Sequence, residues 1–224
     1  MNRFIVAGLV AATLTVPASA DLIRVDFTGQ LSGNNPNNAF GTPVPTVTGS
    51  FTYETDTAGT PFTSTQTRYN NAIKSFSFNL GSGIGGSYAS DAGFGRAQVA
   101  NLAGADSISF GNFAFGPSLV TGEPADTNSV SFTLRFAGPT SAFGTEALTQ
   151  LPILDPDLLD NQQNMQLFVS RAANPSGTQV SFNYNFSDIT VTNLDAPADV
   201  PAPPALALVG LGIAGLAGLR RRKA

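Results

Sequence analysis

Apolar positions through the middle of the chain recur every second residue. In Ser129–Phe136, SVSFTLRF, Val130, Phe132, Leu134 and Phe136 fall on one face and Ser129, Ser131, Thr133 and Arg135 on the other. A period of two with one apolar face predicts a strand buried on one side. Thr178–Phe186 repeats the pattern with Val180, Phe182, Tyr184 and Phe186. Beyond it the parity inverts, because Ile189 and Val191 are odd-numbered. The inversion predicts a bulge near Ser187 and Asp188 or a turn into a new strand. Shorter versions appear as Ile23, Val25 and Phe27; Val47, Phe51 and Tyr53; and Phe76, Phe78 and Leu80. Ile108 and Phe110 continue as Phe113 and Phe115 after a Gly111-Asn112 break, and Met165, Leu167 and Val169 form the last such series.

These segments amount to about eight strands separated by Gly, Pro, Asn and Ser clusters. Ser82–Asp106 is Gly/Ala-rich and weakly patterned, and reads as a long connection. Gly138–Gln163 reads as another, with a short helical turn from Asp157. No stretch of the body has the period of an amphipathic helix. The expected fold is all-β: an antiparallel β-sandwich, jelly-roll-like, over residues 21–194.

The ends follow different rules. Arg3 precedes an apolar run from Phe4 to Val16, and Ala18-Ser19-Ala20 closes it with small residues. That order predicts a signal peptide over residues 1–20, cut after Ala20, with Ala18 and Ala20 as the recognition positions. At the other end, Asp195–Pro204 is a proline-rich linker of extended backbone. Ala205–Leu219 follows without a charge and predicts a transmembrane helix, roughly 22 Å long at 1.5 Å per residue. Gly210, Ala214 and Gly218 set a small-residue stripe along it. Arg220, Arg221, Arg222 and Lys223 then stop transfer, which places the tail 220–224 in the cytoplasm and the body outside. The run falls short of the ~30 Å hydrocarbon core.

Composition narrows the chemistry. The chain has no Cys, His or Trp, and 17 Phe supply most of its aromatic mass. Ser-His-Asp and Cys-His catalysis are excluded, as is zinc held by imidazole or thiolate. Lys74, the one lysine of the body, sits in a strand pattern and faces solvent. Between Asp21 and Asp199 there are 6 basic residues against 15 acidic ones, a balance of −9. Such a body repels nucleic acid. Gly81–Gly86 has no phosphate-loop form, since no GK[ST] or helix follows. Asp155, Asp157 and Asp160 are weak candidates for a Ca²⁺ site, but the spacing departs from an EF-hand loop and a solvated acidic loop is the default. Tyr69 and Tyr88 lie in loop-like contexts where a ring could meet a sugar, although loop packing explains them as well. No cofactor is expected.

The order of a Pro motif, a Gly/Leu-rich helix and an Arg cluster resembles the PEP-CTERM sorting signal. Here the parts are Val200-Pro201-Ala202-Pro203, Ala205–Leu219 and Arg220–Lys223. The family's motif is Pro-Glu-Pro; Ala202 stands in the place of the Glu, and Pro204 is an added proline. The resemblance implies a Gram-negative bacterium and an exosortase-like processing enzyme as partner. It further implies export, a transient stay in the inner membrane, cleavage near the Pro motif, and passage to the cell surface or beyond, with exopolysaccharide and biofilm as the usual setting. The expected function is a non-enzymatic structural or binding module associated with exopolysaccharide. The alternatives are an extracellular carbohydrate-active enzyme using carboxylates and a permanently membrane-tethered periplasmic domain.

Overall fold

The computed structural model describes residues 21–32, 46–80, 83–116, 119–121, 127–143, 150–171 and 180–195. The signal-peptide positions Ala18 and Ala20, the motif Val200–Pro203, the apolar run 205–219 and the basic residues 220–223 lie outside them. Among the described residues no helix is long and apolar enough to cross a membrane. The chain divides into one unit ending at Leu194 and a second, Asp195–Ala224.

Among the described residues ten strands follow one another: β1 (Leu22–Leu31), β2 (Thr46–Glu54), β3 (Thr60–Thr63), β4 (Gln66–Asn79), β5 (Gly85–Ala100), β6 (Asp106–Phe115), β7 (Val120–Thr121), β8 (Thr127–Gly138), β9 (Gln162–Arg171) and β10 (Val180–Asn193). All pair antiparallel in the order β4-β2-β1-β10-β9-β8-β6-β5, and β5 returns to β4. The sheet therefore closes as an eight-stranded barrel. The short strands β3 and β7 extend it beside the starts of β4 and β5.

The all-β antiparallel expectation holds, and the sandwich does not: one sheet curls onto itself instead of two sheets facing each other. Alternation alone cannot separate the two, because both bury one face of every strand. Closure depends on β5, whose pairing with β4 runs from Gln66↔Ala100 to Asn79↔Gly85. That strand occupies the segment that reads as a connection in the sequence. Its pattern is broken by an irregularity: Ile73 pairs with Phe94, yet Ser75 pairs with Ala89. Asn71 on β4 (φ 58°) and Gly93 on β5 (φ 74°) both take left-handed backbone at this bulge. The expected bulge on β10 is present. Thr28 pairs with Asp188 and Gly29 with Phe186, so Ser187 is the extra residue.

Eight strands leave an interior just wide enough for side chains, and here phenyl rings fill it. Phe76, Phe78, Phe115 and Phe132 form one group, with Phe132 4.7 Å from Phe76 and 4.5 Å from Phe78 between centroids. Phe51 and Tyr53 meet Phe110 at 4.7 and 4.9 Å. Phe136, Phe186 and Phe27 link the two groups. All of these rings except Phe186 are buried.

Candidate functional site

One end of the barrel is closed by the connection between β8 and β9. Leu151, Leu154 and Leu159 are buried there. Tyr53 Oη donates to the Pro152 carbonyl at 3.1 Å and accepts from Leu154 N at 2.7 Å. Tyr69 Oη donates to the Gln150 carbonyl at 3.0 Å, and Leu151 N donates to the Thr55 carbonyl at 3.1 Å. Gln163 Nε2 donates to the carbonyls of Pro156 and Leu159. Asp106, itself buried, accepts from Phe143 N through Oδ2 at 2.8 Å. Phenol hydroxyls inside the wall thus hold an otherwise irregular segment whose backbone groups need partners.

Burial raises the pKa of these phenols. Tyr69 and Tyr184 are pushed up to about 12, and Tyr53 is pushed higher, the hydrogen bond from Leu154 N offsetting part of the effect. The unfolded phenol titrates near 10. The folded pKa is raised, so the contribution to stability is complete below about pH 10 and is lost as pH climbs toward 12. In an alkaline titration, phenolate absorbance from these three tyrosines should appear together with loss of the β signal in circular dichroism. Smooth ionisation of every phenol near pH 10 with the fold intact would contradict this packing.

The sequence-derived candidates separate. Tyr69 is fully buried and spends its hydroxyl on Gln150, so its ring is closed to a sugar. Tyr88 is 39 % exposed and meets Phe94 edge-on at 4.9 Å. Asp155 Oδ1 accepts from the backbone N of Asp157 and Leu158, capping the single turn over Pro156–Leu159. Asp157 and Asp160 are exposed, and Asp160 bridges to Ala137 through its backbone. Among the described residues no group of three carboxylates converges as a metal site. Lys74 is paired with Glu54 at 3.0 Å and donates to the Asp91 carbonyl at 2.9 Å.

With the interior packed, contact with other molecules falls to the outer wall. A groove of roughly 370 Å³ opens where β7 meets the start of β5. Asn79, Ser87 and Thr121 offer polar groups to it, and among the described residues no titratable side chain lines it. Glycine is required in its wall: a Cβ on Gly86 would lie 2.6 Å from the Leu119 carbonyl oxygen and 2.8 Å from the Phe78 ring. The outer faces of β2 and β4 carry paired hydroxyls, Ser50–Ser77 at 3.0 Å and Thr52–Ser75 at 2.8 Å. Arg24 and Asp26 form an exposed ion pair on β1, which raises the arginine pKa and lowers that of the carboxyl. The outer wall thus carries hydroxyls and amides together with ion pairs.

Residues 199–223 match the PEP-CTERM protein-sorting motif. The match covers the proline motif, the apolar run and the basic cluster, and leaves the barrel outside it. No curated protein and no solved structure matches the chain.

Proposed function

We propose that this protein, which carries a PEP-CTERM signal and so belongs to the traffic of exported proteins sorted by exosortase, is a non-enzymatic binding module of the extracellular matrix. The match at residues 199–223 is the observation that carries the reading. The signal delivers the chain to the membrane, the enzyme cuts near Val200–Pro203, and the barrel passes outward. A proline-rich segment suits such cleavage, because prolines cannot be absorbed into a neighbouring helix and leave the backbone extended.

The barrel supports a binding role through what it exposes. Its apolar mass is turned inward, while its outer strands present Ser, Thr, Asn and Gln to solvent. Such groups hydrogen-bond to the hydroxyls of a polysaccharide directly or through water. The chain has no cysteine, so the closed ladder and aromatic interior hold this wall without a disulfide. The test is where the native protein is found and in what form. It should be recovered with the extracellular polymer, without residues 1–20 and without the basic tail.

A further inference from the structure

We infer that the outer face of β4, β5, β6 and β8 is a docking strip for a carboxylate-bearing polysaccharide. The inference rests on the matrix-binding reading above and adds the chemical class of the polymer and the place where it binds.

Register carries the argument. Arg68 pairs with Gln98, Gln98 with Ser109, and Ser109 with Arg135. The same row continues through Asn164 and Asn185 to Gln30. The adjacent row runs Asn70, Arg96, Gly111, Thr133, Gln166 and Asn183. Apart from Gly111, which is buried, these positions are half-buried or exposed and belong to the outer face. The two rows hold three arginines and no carboxylate, in a body whose balance is −9. Two cations outside the rows are matched: Arg24 to Asp26 and Lys74 to Glu54. Among the described residues Arg96 and Arg135 have no carboxylate partner. Asp160, bridged to Ala137, borders the strip beyond Arg135.

The arginines are prepared for an anion. Arg68 Nε donates to Gln98 Oε1 at 3.1 Å, and Gln98 Nε2 donates on to Gln66 Oε1 at 3.2 Å, which fixes the guanidinium. Its Cζ sits 3.1 Å from the ring centroid of Phe62, a side chain 51 % exposed. Desolvation, and then the positive charge of Arg96, hold the Arg68 guanidinium below its ordinary pKa. Two like charges at diagonal positions on neighbouring strands repel each other, and an anion between them would relieve that repulsion. Ser109 and Gly111, the β6 partners of Arg135 and Arg96, carry small side chains or none.

The spread of charge selects the ligand. Arg68 and Arg135 are three strand steps apart, about 14 Å at ~4.8 Å per step. A small anion on this convex wall reaches one or two of the three, whereas a chain with repeated carboxylates reaches all of them. Guanidinium groups take carboxylates bidentately. The amides of the two rows and the ring of Phe62 suit sugar hydroxyls and a sugar face. A nucleic acid would lack the series of stacking rings that single strands use, and would meet the acidity of the rest of the body.

The experiment is retention of the full-length chain, in detergent, on immobilised polygalacturonate, dextran and a single-stranded oligonucleotide, at low and high ionic strength. Binding to polygalacturonate is expected, weakened by salt and weakened roughly tenfold or more in Arg96→Gln/Arg135→Gln. The matched control Arg24→Gln/Lys74→Gln removes the same charge from outside the two rows, at cations already paired with Asp26 and Glu54, and should bind as the parent does. Equal weakening in both variants, or unchanged binding in the first, would overturn the strip. Equal retention on the oligonucleotide would overturn the polysaccharide assignment. Binding to dextran but not to polygalacturonate would overturn this inference and leave the matrix-binding reading standing; binding to no polymer would remove both. Ser109→Glu, which places a carboxylate in the middle of the strip at a solvent-facing position, should lower retention in the same way.

Discussion

Phe132→Ala is expected to destabilise the barrel by about 3–5 kcal/mol. Phe132 is 1 % exposed and lies where the rings of Phe76, Phe78 and Phe115 converge. Phe76 and Phe78 come from β4, three strands round the barrel from β8, and Phe115 from β6, its neighbour in the ladder, so no single strand can shift to fill the space. The cost then includes the lost transfer energy and the cavity left behind. For a domain of this size the melting temperature should fall by roughly 6–20 °C. Phe132→Leu keeps most of the volume and should cost about half as much. A fall of less than 2 °C for the alanine variant would mean that the rings do not meet as described.

The second large effect is Gly93→Ala. A Cβ at Gly93 would lie 1.9 Å from the Asn71 carbonyl oxygen, and the backbone there has φ +74°. Left-handed backbone costs a non-glycine residue about 1–2 kcal/mol by itself, and the contact is with backbone that cannot rotate away. The bulge must open, and with it the β4–β5 ladder that closes the barrel. A loss of about 2–4 kcal/mol is expected in denaturant melts. Gly83→Ala is the internal comparison, because Gly83 has φ +81° but nothing within 4 Å of the added carbon. It should show the conformational cost alone, about 1 kcal/mol. Equal losses at the two sites would mean that the close approach of Gly93 to Asn71 has no bearing on stability.

These two sites also mark what the sequence makes legible. The strict alternation of Val130, Phe132, Leu134 and Phe136 places β8, its buried face and its exposed face, because a half-buried strand has no other way to satisfy that pattern. The parity change after Phe186 marks an irregularity in the sequence, and the β1 register resolves it as a bulge and not a turn into a new strand. β5 is hidden because its first half is exposed and its bulge breaks the period, so composition alone reads it as a loop. Barrel closure is hidden with it, since it lies in one pairing between two long strands. The connection over 150–159 reads as an acidic loop because its anchors, Tyr53 and Tyr69, are about a hundred residues away in sequence. The row of Arg68, Gln98, Ser109 and Arg135 is invisible for a related reason. Each residue reads as an ordinary polar strand position, and only the cross-strand register brings them together. The sorting motif, by contrast, is a linear pattern, and residues 199–223 can be read without any fold.

The account stands on export, sorting and release of the barrel. The most direct measurement is the intact mass of the native protein, taken separately from extracellular and membrane fractions. The expected species in the extracellular fraction lacks residues 1–20 and ends near Pro201–Ala205. A membrane-bound species that still carries Arg220–Ala224, with none released, would contradict the account and make the tail a stable anchor.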